Sequence, residues 1–479
     1  MAVSRIFVLI VLVNLNSMKR SSWILFIFLS FPALSQQTPN AIQRAQQRTY
    51  TIATLPQAGE LLTLQQAVGQ SVEKNYQVQI NRSQEDIARN NYTKGNAGYL
   101  PTITGNLNSN GSLQNLRQTY LDATRPPLQV YGAFNRTSNV GVNVTYTVFN
   151  GYARRSLYTQ LQQFLQISTV NTRANVEATM AQVATSYYDV VRQVQRFIAF
   201  SQALDISRER LELARANYEV GTRSKVDFLS AQVDYNTDSA ALLSQDQALR
   251  NAKTILNTLL VRDPQTDFSV RDTIIAQPNL QLAPLQQSLS SNNPQLAAAV
   301  LNRTVANLNV ELANAQLLPL VTAQTGYNYQ FIDNQGGFGI RSGRAGGPTY
   351  LIQATIPIFN GFNLKRQVQN ARVNTIIAQN QENDQRLQLQ SAMAQTYQIY
   401  QNSLKLLNLE VQNNLLANQN VDIAYDRYRI GNSTFVEFRN VQRNAIDAQT
   451  RLIEAEYNAK AAEIELLRLS STITQEISQ

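Results

Sequence analysis

The chain has 479 residues, 43% of them apolar and only 15% charged, with a formal charge of +9 and neither Cys nor His. The lack of Cys excludes disulfides, thiol chemistry and an acylated N-terminal cysteine, and the lack of His removes the commonest general base and metal ligand. Three of the 41 basic residues, Arg5, Lys19 and Arg20, fall in an N-terminal leader, and no Lys/Arg cluster is interleaved with aromatics, so no nucleic-acid partner is expected.

Residues 1–35 read as an export signal. Met18-Lys19-Arg20 is the basic start, Trp23 to Phe31 the apolar core, and Ala33-Leu34-Ser35 the small residues before cleavage. Met18 is the expected true start; an uncleaved anchor is the alternative. No later run is apolar enough for a transmembrane helix. Residues 36–60 are polar and Pro/Gly-punctuated, an irregular lead-in.

A first repeat is expected over residues 61–263. Leu64, Ala67, Val68, Val72, Tyr76 and Ile80 recur at three- and four-residue steps, predicting one helix to Asn96 that Gly98 and Pro101 end. Residues 99–113 then alternate weakly, with Ile103 and Leu107 in phase. Residues 138–149 alternate clearly, with Val140, Val142, Val144, Tyr146 and Val148 on one face. The polar segment 114–137 between them reads as a long loop. Phe149-Asn150-Gly151 closes the strand. From Tyr152 to Val220 there is no Gly or Pro, a helix of roughly 105 Å at 1.5 Å per residue. Val183, Val190, Phe197, Leu204, Leu211 and Tyr218 recur every seven residues, as a coiled-coil seam requires. Gly221 turns the chain, and a helix resumes from Ser224 to Val261.

After an irregular connector at 264–292, the order returns in residues 293–479. Asn293-Pro294 opens a helix to Leu317. Strands follow at 319–332 and 349–359 around a Gly-rich loop that includes Gly336-Gly337 and Gly346-Gly347-Pro348. Phe359-Asn360-Gly361 repeats the strand exit. Phe362 to Ile430 again lacks Gly and Pro, with Met393, Tyr400, Leu407, Asn414, Val421 and Tyr428 as its seven-residue series. Gly431 turns, and an unbroken helix is expected from Asn432 to the C-terminus. Around Gly221 and Gly431, Tyr at −3, Val at +5, an acid at +6, Phe at +7 and Gln at +11 recur. Val226, Phe228, Val436 and Phe438 are expected to pack the hairpins.

The fold class is therefore mainly α with a small β part. Each repeat is helix, strand, strand, long helix, glycine turn, helix, so all helices leave one end of the strands. The alternating strands fit either a soluble antiparallel sheet with one wet face or a membrane barrel; the export signal and the long helices favour the barrel. Four strands are too few to close one, so two or three chains would be needed. Tyr99, Tyr327, Tyr329, Tyr350, Phe149 and Phe359 near strand ends suit interfacial girdles. No nucleophile–base pair, metal cluster or phosphate loop marks an enzyme, and no cofactor is expected. A structural coiled-coil surface protein of adhesin or appendage type is the alternative function.

The duplicated helix–strand–strand–helix order, the paired Phe-Asn-Gly exits and the paired Tyr-x-x-Gly-x-x-x-x-Val-acid turns resemble the TolC family of outer-membrane efflux and secretion channels, over about residues 60–475. The resemblance implies a homotrimer with a 12-stranded barrel in outer-membrane lipid above a long periplasmic helical tunnel. It implies an equatorial belt from about 264–292 and 470–479. It also implies a periplasmic adaptor (membrane fusion protein) and an inner-membrane transporter of RND, ABC or MFS type, with drugs, other small molecules or proteins as cargo. The closed end would lie at the turns of Gly221 and Gly431, beside Tyr218 and Tyr428. Family acids of the pore constriction map to Asp227 and Glu437. A further acid falls on Asn440, and a latching base is kept as Arg223 but replaced by Ser433 in the second repeat. Adaptor contacts would lie in outer grooves near Arg208, Arg210, Arg427 and Arg429.

Overall fold

The computed structural model describes residues 59–271, 273–336 and 340–477. The export signal expected at 1–35 and nearly all of the 36–60 lead-in lie outside the described residues, as does Gly337.

Two helices stand where one was expected. α1 (Leu64–Lys74) and α2 (Tyr76–Asn91) are separated at Asn75. The Asn75 side chain accepts from the backbone N–H of Gln77 and Val78, and its amide donates to the Leu259 carbonyl 3.1 Å away. Asx capping thus restarts a helix without any break in the apolar period. The second repeat does the same. α5 (Leu282–Asn292) occupies part of the connector expected to be irregular, and Asn293 caps α6 (Pro294–Ala315). α5 forms because Leu285 and Leu289, four residues apart, bury against Met393, Tyr400 and Leu466.

The long helices follow their Gly- and Pro-free runs. α3 (Ala153–Glu219) and α7 (Asn363–Arg429) each have 67 residues; α4 (Lys225–Leu259) and α8 (Phe435–Leu469) each have 35. α3 packs on α4, α7 on α8, and α3 also meets α8. The coiled-coil positions Val183, Val190, Met393 and Tyr400 are fully buried in two clusters around the helix middles, one with Tyr187, Leu256 and Phe268, the other with Leu289 and Leu466. The expected unbroken last helix is instead interrupted. Ser471 takes φ +59°, its hydroxyl donates to Glu177 at 2.5 Å, and the chain folds back so that Ile473 of α9 (Ile473–Ile477) is buried.

A two-residue parallel pair joins β1 (Glu60–Leu61) to β4 (Phe268–Ser269). The main sheet holds β2 (Thr102–Gln118), β3 (Leu128–Asn150), β5 (Leu320–Asn334) and β6 (Ser342–Thr355), antiparallel in the order β2-β3-β5-β6. The strands extend well into the segment expected as a loop: only 119–127 separates β2 from β3. Alternation marks only the part of a strand with two unlike faces, whereas the hydrogen-bond ladder continues through polar sequence. Likewise Gly346, Gly347 and Pro348 belong to β6 rather than to a loop; Tyr329 lies across Gly346, where an added Cβ would come within 2.4 Å of the ring.

The register aligns the faces across the sheet. Ile103, Val144, Thr325 and Tyr350 form one row; Leu107, Val140, Tyr329 and Gly346 another; Tyr146, Ala323 and Ile352 a third. The opposite face is amidated and hydroxylated: Asn139 donates to Asn108 at 2.9 Å, and Asn328 to Asn143 and Thr349 at 3.2 Å each. Both edges, β2 and β6, are unpaired among the described residues of the single chain.

Candidate functional site at the two hairpin tips

Both turns share one local geometry. Gly221 (φ +76°) and Gly431 (φ +83°) take the left-handed conformation that ends a helix at lowest cost in glycine. Gly221 N–H donates to the Tyr218 carbonyl and Thr222 N–H to that of Asn217; Gly431 and Asn432 repeat this with Tyr428 and Arg427. Ser224 and Thr434 cap the outgoing helices by accepting from the backbone N–H of Asp227 and Glu437. The two recurrent acids therefore occupy the third helical position, where a carboxylate is stabilised by the helix N-terminus. The recurrent Tyr and Phe stack within each hairpin: Tyr218 on Phe228 at 6.0 Å and Tyr428 on Phe438 at 5.5 Å. Val226 and Val436, expected to pack the hairpins, are exposed.

The expected site residues divide between two settings. Glu437 accepts from the Ser433 hydroxyl at 2.9 Å and faces the Arg427 guanidinium at 3.6 Å, so the residue standing where a base was expected is a direct hydrogen-bond donor. Asn440 is exposed on the same helix. Arg223 and Asp227 belong to the first turn, where Asp227 is capped by Ser224. Burial raises the Tyr428 phenol, opposed by the charges of Arg210 and Arg223 and reinforced by Asp227. The two hairpins meet where Ala424, Tyr428 and Phe438 pack against Ile206 and Leu213.

The strongest polar structure near the tips includes only Arg210 of the expected residues, and not in the outer groove expected for it. Arg439 on α8 makes two 2.8 Å hydrogen bonds to Asp238 on α4, with Asp234 3.5 Å away. Arg210 on α3, fully buried, donates to Asp234 at 2.6 Å and lies over the Phe435 ring at 4.6 Å. Ser207 bonds Asp238, and Gln442 donates to the Ala203 carbonyl and to Ser207. Burial works against the charge on Arg439, but Asp238 and Asp234 outweigh it and hold its pKa above the ordinary arginine value. Burial dominates at Arg210 and lowers its pKa. Arg210 is therefore an internal tie among three helices, not part of an outer groove; Arg427 is likewise engaged with Glu437, whereas Arg208 pairs with neighbouring Asp205 on its own helix.

The strand exits are the second recurrent feature. Gly151 and Tyr152 both take left-handed φ (66° and 69°), as do Gly361 and Phe362 (66° and 62°). Asn150 accepts from Arg154 N–H and Asn360 from Leu364 N–H, while Phe149 meets Tyr152, and Phe359 meets Phe362, edge to face. The two exits differ in their surroundings. A Cβ on Gly151 would lie 2.3 Å from the Ala315 carbonyl, whereas Gly361 faces open space.

A family model described as outer membrane efflux protein matches residues 67–261 and 285–471. The chain is 21% identical over 425 residues to the outer membrane efflux protein BepC of Brucella suis, covering 86% of each chain. It is 23% identical over 437 residues to the outer membrane protein TolC of Vibrio cholerae, covering 89% of this chain and 94% of that one. Among solved structures, the outer membrane protein VceC of Vibrio cholerae superposes with a TM-score of 0.66 at 19% identity, over 85% of this chain and 95% of that one.

Proposed function

This chain belongs to the outer membrane efflux protein family, the outer-membrane channels of efflux systems, and from that premise we propose that it works as a homotrimeric passive duct gated at its hairpin tips. The structural coiled-coil alternative falls with that membership. The observation that carries the trimer is the open sheet. In lipid every backbone polar group needs an internal partner, so an unpaired edge must be closed. The in-chain junction β3–β5 joins the second strand of one repeat to the first of the next. Pairing β6 with β2 of a neighbouring copy repeats that junction, and three copies give twelve strands. The same operation brings a neighbour's Ala97, the counterpart of Ala315, against the uncovered Gly361. The apolar rows then face hydrocarbon and the asparagine face lines a wet lumen.

The exported cargo, small molecules or proteins, is handed over by an inner-membrane transporter through a periplasmic adaptor that grips the hairpin tips. Glu437 and Asn440, exposed in the single chain, line the constriction, while Arg223 and Asp227 supply the closing contact around Tyr428. Three Glu437 carboxylates around a narrow axis concentrate negative potential and hold cations. Single-channel recording in planar bilayers tests this. Discrete conductance steps with block by divalent cations are expected, and Glu437→Gln should relieve that block several-fold. Unchanged block in the variant would remove Glu437 from the pore.

A further inference from the structure

We propose that Arg136 and Arg344 form a site for the phosphate-bearing headgroup of an outer-leaflet lipid. The inference rests on the sheet's apolar face meeting membrane lipid, as the duct requires. Both arginines lie on that face. Arg136 is in register with Gly111 and Asp333, and Arg344 with Phe331, one row nearer the helices. With Ser342 they surround a shallow cleft of roughly 430 Å³.

Their height on the strands is what selects the ligand. Phe149 is paired with Val321 at the helix-side end of the sheet, beside Tyr152. From Val321 to Phe331 the strand runs roughly 34 Å at about 3.4 Å per residue. At a tilt of about 40° that is a rise of about 26 Å, close to the ~25 Å apolar band of outer-membrane barrels. Phe149 and Phe331 thus mark the two interfaces. Arg344, whose guanidinium lies 5.9 Å from the Phe331 ring centroid, sits at the outer one, and Arg136 just beyond it. An arginine facing lipid is strongly destabilising at the midplane but nearly neutral at the interface, where it meets headgroup phosphates. Guanidinium forks match phosphate oxygens in pairs. Asp333 stands opposite Arg136 in the ladder, but no ion pair to either arginine forms among the described residues. Two guanidiniums against one carboxylate leave the cleft positive, and Ser342 adds a hydroxyl donor.

The site is tested on the assembled, detergent-purified oligomer by native mass spectrometry, with bisphosphorylated lipid A, its phosphate-free analogue and inorganic phosphate as probes. The bisphosphorylated lipid should give at least tenfold more adduct than the phosphate-free one. Arg136→Ser with Arg344→Ser should abolish that preference, Arg136→Lys with Arg344→Lys should retain part of it, and Asp333→Asn should increase it. Equal adducts for the two lipids, an undiminished preference in the double serine variant, or displacement of the lipid by equimolar inorganic phosphate would overturn the proposal. Because adducts are counted on the oligomer, a failed site shows as an intact oligomer without phosphate preference, and a failed duct as no oligomer.

Discussion

At the scale of single residues, the tips are held by charges that occur in one repeat only. Arg439, Arg210, Asp234 and Asp238 have Leu229, Asn420, Asn444 and Ala448 as their counterparts in the other repeat. That is why the sequence disclosed neither Arg439, Asp234 and Asp238 nor the buried role of Arg210: a search for recurrent residues finds what both hairpins need, and this cluster is what distinguishes them. Asp227 and Glu437 were legible because both hairpins use an acid at the same helical position. Breaking a buried ion pair from one side strands the other charge and costs about 3–5 kcal/mol. Arg439 and Asp238 are both 12% exposed, so Arg439→Ala should lose stability in that range in chemical denaturation. If the cluster also holds the tips together, the same variant should conduct several-fold more than wild type in a planar bilayer. Loss of stability with wild-type conductance would make the cluster a purely structural tie.

At the scale of elements, helices were more legible than strands. Gly- and Pro-free runs fixed α3, α4, α7 and the start of α8 to within a few residues, because nothing but helix accommodates such length with a seven-residue seam. The divisions at Asn75 and Ser471 were hidden, since they depend on a side-chain cap and on tertiary bonds to Leu259 and Glu177. The outer parts of β2, β3 and β6 were hidden because their polar residues do not alternate, whereas β5 was legible almost to its end. The recurrent glycines differ in what they must satisfy. Gly221 needs only its left-handed φ, so Gly221→Ala should cost about 1–2 kcal/mol. Gly151 needs that φ and the space beside Ala315, so Gly151→Ala should cost clearly more. Equal midpoints for the two variants in thermal unfolding would mean that α6 yields freely at the exit.

At the scale of the whole molecule, the duplication predicts how copies meet. β2 and β5 are offset in sequence differently from β3 and β6, and carrying the β3–β5 register over to β6 and a neighbour's β2 places Ile352 opposite Ser109. The match keeps like faces together: Ala354 and Ile356 then lie opposite Leu107 and Gly105, and Phe359 opposite Ile103, with Ile358 at the bulge that Val148 makes in the in-chain junction. Ile356 and Phe359, 60% and 75% exposed in the single chain, gain a neighbouring strand. Within one chain, Ser109 is level with Arg344 on the opposite edge, and Ile352 lies eight residues further along that edge, roughly 30 Å from Ser109 by strand spacing and rise. The chain has no cysteine to interfere. The decisive measurement is therefore to treat the Ser109→Cys, Ile352→Cys double variant in outer membranes with a short thiol crosslinker and run it on a denaturing gel. The expected product is a covalent trimer, absent from each single variant and from Ser109→Cys combined with Leu351→Cys on the opposite face. A reaction that ends at the dimer, or that leaves only monomer, would contradict a barrel closed by three copies of this chain.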